Sequence, residues 1–166
     1  MDVDAAWRER GSIMAEFFAN ESQVVDVGQT VVFTDVAVPC TRGFVRHRDG
    51  SGNFLLSGWV PYNSCGCRKN SANYLVDFGA NIAIPTTGTV GAISLAISLD
   101  GSTIPSSTMI VTPAAVEEYF NVSRAINADV WRGCCETLSI TNTSDQPILV
   151  QNANIIITRP DLAVTR

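Results

Sequence analysis

The chain has 166 residues, enough for one domain with a sizeable core. Charged residues make up 16% of it, against about 25% in an average soluble domain. The 11 basic and 16 acidic side chains leave a formal net charge of −5, and Lys69 is the one lysine. Such a chain is poorly built to neutralise phosphates, so no nucleic-acid partner is expected. No apolar run approaches the ~20 residues of a membrane span, so no membrane insertion is expected either.

The first element is an arm over residues 1–23. Between Asp4 and Asn20, Trp7, Met14 and Phe18 recur at spacings of seven and four, with Phe17 beside them, which predicts a short helix. Gly11 weakens that helix at its centre. Either the helix folds onto its own domain, or Trp7, Met14, Phe17 and Phe18 form an assembly arm that docks on another subunit. The opening "MDVDAAWRERGSIMAEFF" puts acidic residues first and has no apolar h-region, so it does not read as a secretory signal peptide.

From Val24 to residue 160 the dominant period is two. Nine strands are predicted, over 24–38, 43–48, 53–59, 73–84, 88–99, 107–112, 118–130, 136–142 and 147–159, the first with a break at Gly28. In "YLVDFGANIAI", Tyr74, Val76, Phe78, Ala80, Ile82 and Ile84 share a face; in "VGAISLAISLD", Ile93, Leu95, Ile97 and Leu99 do. Phe120, Val122, Ile126, Ala128 and Val130 repeat the pattern with Arg124 as the exception, and Leu138 and Ile140 point inward after them. The last run changes phase between Val150 and Ala153, which predicts a bulge. Turn signals separate the runs: "RDGSGN", "PTTG", "LDGSTIP" and "NTSDQP". Many short strands with no interleaved helices predict an all-β antiparallel sandwich or barrel over residues 24–160, followed by a tail at 161–166.

Four of the five cysteines stand in two close pairs, Cys65 with Cys67 and Cys134 with Cys135. If successive strands alternate in direction, the connections that hold Cys40, Cys65 and Cys67, and Cys134 and Cys135 are all odd-numbered, which places all five cysteines at one end. Three readings stay open there. Disulfides or cross-links within or between chains could join Cys40, Cys65, Cys67, Cys134 and Cys135, and an odd count leaves one thiol over. Cys65, Cys67, Cys134 and Cys135 could hold zinc, although C-x-C and C-C chelate less well than C-x₂-C, so no cofactor is expected first. The third reading is plain reduced cysteines.

Catalysis has little to build on. His47 is the only histidine, and in "FVRHRDG" it alternates with Arg46 and Arg48 as an ordinary strand residue does. Glu117 and Glu118 are adjacent in a strand, so they point to opposite faces and cannot work as an acid–base pair. The glycines of "DGSG" and "TTGTVG" precede no helix and make no phosphate cradle. No enzymatic activity is expected.

The order of features resembles a known superfamily. "GFVRHRDGSGNFLLS" looks like its first inner hairpin, and "ANYLVDFGANIAIPTTG" like its signature strand of an aromatic followed by alternating apolar residues. "GAISLAISLDGSTIPSST" looks like the next hairpin, "INADVWRGCCETLSITN" stands where two apolar strands flank a turn, and "QNANIIITR" looks like the closing strand. The superfamily is that of the tumour necrosis factor-like and complement-type globular heads, and the bacterial members on spore filaments and phage particles are the nearest likeness. From Val24 to Arg159 the resemblance implies a ten-stranded jelly roll, a homotrimer packed about a threefold axis, and a structural or binding role without catalysis. It also implies display on a virion or on a spore or cell surface, with other coat proteins as partners of the arm. A carbohydrate- or receptor-binding head is the alternative, with a glycan as partner, and exposure of Trp59, Tyr62 or Trp131 would favour it. Two departures stand out: residues 1–23 carry no Gly-X-Y repeat, and the cysteine loops are not part of the superfamily pattern.

Overall fold

A computed structural model describes residues 13–62, 65–133 and 135–162. Among these residues the chain forms twelve strands: β1 (Met14–Ala19), β2 (Gln23–Val25), β3 (Asp35–Val38), β4 (Val45–His47), β5 (Phe54–Leu56), β6 (Ser71–Ala83), β7 (Ile93–Leu99), β8 (Ser102–Thr103), β9 (Met109–Val111), β10 (Phe120–Trp131), β11 (Glu136–Asn142) and β12 (Ile148–Thr158). Two short 3-10 turns, Pro105–Ser107 and Pro160–Leu162, complete the chain. One sheet runs β10-β6-β12-β1-β3 with β2 beside β12; the other runs β4-β5-β11-β7-β8 with β9 beside β7. Every pairing is antiparallel. The inner faces of the two sheets close over one apolar core, as a jelly-roll sandwich requires.

The alternation read in the sequence builds that core. Tyr74, Val76, Phe78, Ala80 and Ile82 of β6 are fully buried or nearly so, and so are Ile93, Leu95 and Ile97 of β7 and Leu138 and Ile140 of β11. Each such large side chain contributes roughly 1.5–3 kcal/mol relative to exposure. Phe33 and Phe54 meet edge-on at 5.2 Å between ring centroids, and Phe33 meets Phe78 at 6.5 Å.

The predicted helix over Asp4–Asn20 is corrected where the structure describes it, because Met14–Ala19 is the strand β1. It lies inside a sheet, paired with β12 on one side and β3 on the other. The seven-and-four spacing picked out its outward residues Met14 and Phe18. The inward set is Ala15, Phe17 and Ala19, at period two. Two of those three are alanines, whose small side chains gave the alternation little weight. Phe17 packs 4.9 Å from Phe54 and 5.0 Å from His47, ring to ring. Trp7 lies outside the described residues.

β1 and β2 pair with successive stretches of β12, so together they act as one interrupted strand. The interruption faces the phase change in β12, where the register slips between Gln151 and Asn154. Asn152 there takes φ 52° and reaches the Asn20 carbonyl. The break at Gly28 is also present, with φ +74°, but it is longer than expected. Residues 26–34 leave the β12 ladder and keep single bridges, Thr30 to Thr141 and Phe33 to Ser51, and the Gln23 side chain both donates to and accepts from the Val32 backbone at 2.9 Å. At the other end of the chain, Leu162 is buried, so the domain continues past residue 160 into the stretch expected to be a tail.

Candidate functional site

The β3–β4, β5–β6 and β10–β11 connections and the segment after β12 lie at the end of the sandwich where β6 begins and β12 stops. The alternation of Ile155 and Ile157 continues past β12 and carries Arg159 into the interior, where it is 0% exposed. Pro160 then starts a 3-10 turn that brings Asp161 back onto it. Arg159 Nε donates to Asp161 Oδ1 at 2.9 Å and Nη2 to Asp161 Oδ2 at 2.7 Å. Nη2 also donates to the Trp59 carbonyl at 3.1 Å. The guanidinium carbon sits 4.9 Å from the Tyr74 ring centroid and 5.8 Å from that of Phe44. Tyr74 Oη has one proton to donate and lies 2.5 Å from the Ser57 carbonyl oxygen and 3.1 Å from that of Phe44. One guanidinium and one phenol thus fix the loop after β5, the segment before β4 and the end of β12.

The charges at this hub are stable ones. Burial pushes the Tyr74 hydroxyl up to about 12, opposed in part by the Arg159 charge. Burial also works against the ionised forms of Arg159 and Asp161, but their mutual hydrogen bonds and attraction outweigh it. The Asp161 carboxyl is therefore held below its ordinary value and the Arg159 guanidinium above its own. Sequence reading missed this pair. Its signal was an arginine two positions beyond Ile157, in phase with the core and followed by Pro-Asp.

Around the hub, aromatic rings face outward. Trp59 is 51% exposed, Tyr62 63% and Trp131 70%. Gly58 makes the close passage beside Trp131 possible, since a Cβ there would stand 2.1 Å from the Trp131 carbonyl oxygen. Arg68 stacks 3.8 Å above the Tyr62 ring. A hollow of about 200 Å³ next to them is lined by Val60, Pro61, Tyr62, Cys67, Lys69 and Asp161. Exposed amphipathic rings beside cationic donors suit a polyhydroxylated or protein ligand, which stacks on the ring and bonds to the donors.

The described cysteines belong to the same end. Cys40 packs against the core, and its sulfur accepts from the Val45 amide at 3.4 Å. Cys65 and Cys67 are exposed in the loop after Tyr62, and Cys135 is half-buried beside Gly43 and Ser57. Cys134 lies outside the described residues. Among the described residues no group of three or more His, Cys, Asp or Glu side chains could hold a metal ion.

The residues weighed for catalysis have structural partners. His47 Nε2 bonds to the Ser51 carbonyl at 2.9 Å, its ring stacks on Phe54 at 4.5 Å, and Nδ1 is buried without a partner. Glu118 accepts from the amides of Ala114 and Ala115 and so shapes its own loop.

A second surface is the outward face of the β10-β6-β12-β1-β3 sheet. Its cross-strand rows are Met14–Thr158–Leu75–Asn127, Glu16–Ile156–Asp77–Ala125 and Phe18–Asn154–Gly79–Ser123. Of these twelve side chains only Glu16 and Asp77 carry charge, and Glu16 accepts a hydrogen bond from Asn154 at 2.7 Å. Gly79, Ser123 and Ala125 keep one edge of the face low, next to Leu75 and Ile156.

No family model matches the sequence, and no curated protein matches it either. Solved structures do. The Eiger TNF from S. frugiperda superposes with a TM-score of 0.64 at 13% identity, covering 95% of this chain and 96% of that one. The globular domain of zebrafish complement 1qA protein gives 0.57 at 14% identity, covering 89% and 96%. Murine APRIL gives 0.52 at 8% identity, covering 87% and 98%.

Proposed function

From a fold that is that of the tumour necrosis factor-like and complement-type globular heads, we propose that the chain is a non-enzymatic head that assembles as a homotrimer. The observation that carries this reading is the outward face of the β10-β6-β12-β1-β3 sheet, broad, with Glu16, Asp35, Asp77 and Asp129 as its acidic groups and low in relief at Gly79, Ser123 and Ala125. Such a face buries well against a copy of itself, and it accounts for a charge content of 16%. Display on a virion, or on a spore or cell surface, with the arm before Met14 contacting other coat proteins, is the setting this reading takes from the resemblance. Ala125→Arg places a cation on the low edge of the face and is expected to yield folded monomers in light scattering. An unchanged oligomer in that variant would place the interface elsewhere.

The aromatic end favours a second role for the same head, recognition of a glycan or a receptor. Trp59, Tyr62 and Trp131 are the exposed rings that such a role needs. Glycan-array binding that disappears in Trp131→Ala would support it, and silence of the wild-type protein would count against it. The cysteine loops at this end would lock neighbouring loops or subunits covalently. Intact mass of native protein after alkylation, with metal analysis of the same sample, separates that lock from a zinc site and from plain thiols, since full alkylation of all five cysteines contradicts both bound forms.

A further inference from the structure

The basic side chains are unevenly placed. Arg42, Arg46 and Arg48 fall within seven residues of an acidic chain. Arg46 lies in β4 and Arg48 directly follows it, and β4 is the outermost strand of its sheet. Both arginines are exposed. Positions two apart in a strand share a face and stand about 7 Å apart along it. His47, between them, turns the other way and pins the strand through its stacking on Phe54 and its bond to Ser51.

The arginines flank a depression. Arg46 lies across from Leu55, and Leu55 lies across from Thr137. A hollow of about 420 Å³ opens there, with Arg46, Arg48, Asn53, Leu55 and Thr137 in its lining. A smaller one of about 100 Å³ shares Arg46 and Leu55 and extends it toward Ser57. Among the described residues Arg159–Asp161 is the one ion pair. Among the described residues Arg46 and Arg48 therefore form no ion pair, and the Asp100 carboxylate beside this hollow accepts from the Thr137 amide at 2.8 Å instead.

We propose that this groove binds an extended acidic peptide segment lying alongside β4, with carboxylates two residues apart meeting Arg46 and Arg48. An extended peptide repeats its side chains on one face every ~7 Å, the rise between two positions such as 46 and 48 along an extended chain. Each guanidinium presents a fork that fits a carboxylate with two hydrogen bonds. The hollow opens over β4, β5 and β11, and Leu55, across from Arg46, supplies an apolar contact beside the charges. A sulfated oligosaccharide would meet the same cations, but no Trp, Tyr or Phe ring lines the hollow for a sugar to stack on. The groove is on the opposite sheet from the proposed assembly face, so the two readings can fail independently.

The test uses the full chain and a short fluorescein-labelled peptide alternating Glu and Thr, followed by anisotropy at low ionic strength. Saturable binding that weakens with added salt is expected. Arg46→Glu with Arg48→Glu should weaken it by roughly tenfold or more, and the double lysine variant should fall between, because it keeps charge and loses the fork. Arg124→Glu, in β10, should leave it unchanged. A peptide of the same composition with its glutamates adjacent should bind less well. The proposal is overturned if the wild-type chain does not saturate, or if charge reversal changes nothing. It is also overturned if a heparin-derived hexasaccharide binds through these arginines while the peptide does not. Should the charge-reversed variant melt at a lower temperature than wild type, the lysine pair and the spacing control carry the test.

Discussion

At the end of the sandwich where β6 stops and β12 begins, neutral groups tie the loops together; at the other end, charges do. Asn142, 1% exposed, donates to the carbonyls of Val25 and Gln146 and accepts from the Ser144 amide. Gln146 in turn both donates to and accepts from the Thr89 backbone, at 2.7 and 2.8 Å. The far hub, Arg159 with Asp161, does the same joining with one guanidinium and one carboxylate. A buried amide asks only for its hydrogen bonds. A buried ion pair also carries the desolvation of two charges, and in return it holds its partners in one orientation and makes their stability depend on pH. The neutral hub closes a plain loop cluster. The charged one carries the exposed rings and the cysteine loops on a fixed base.

Three substitutions sharpen that contrast. Arg159→Met leaves the Asp161 carboxylate without its cation and Tyr74 and Phe44 without their stacking partner, so a loss of about 3–5 kcal/mol is expected in denaturant unfolding. A loss below ~1 kcal/mol would show that the pair is incidental. Asn142→Ala strands the Ser144 amide and two carbonyls, with an expected loss of about 2–3 kcal/mol that stays flat with pH. Asp161→Asn keeps an acceptor and removes the charge, for about 1–2 kcal/mol at neutral pH. Here the sign of the pH effect is set. The folded Asp161 value lies below the ordinary carboxylate value, so its contribution is full above about pH 4 and disappears as pH falls through the folded value. The gap between wild type and Asp161→Asn should therefore close on acidification, while the Asn142→Ala gap should not. A gap that widens in acid would contradict the ionic account.

Most of the sandwich could be read from period two, because half-buried strands leave that pattern plainly in Tyr74–Ile84 and Ile93–Leu99. The β12 bulge was legible as a change of phase, but the count of strand reversals that put the cysteine loops at one end does not match the fold, in which Cys40, Cys65 and Cys67, and Cys135 follow β3, β5 and β10. β1 was not legible, since Ala15 and Ala19 hide its inward face and Met14 and Phe18 mimic a helical stripe. β8 is a two-residue strand inside a turn signal. Arg159 was passed over because charge suggests the surface, although its register pointed inward. The Arg46–Arg48 groove could not be seen at all in one dimension, for it depends on Leu55 and Thr137 arriving from two other strands.

Self-assembly through the β10-β6-β12-β1-β3 face is the central property proposed for this chain. Native mass spectrometry of the untagged chain at micromolar concentration tests it directly. A dominant species of three times the 17.8 kDa chain mass, reduced to the single chain by Ala125→Arg, is the predicted result. A wild-type protein that flies as a monomer would contradict it.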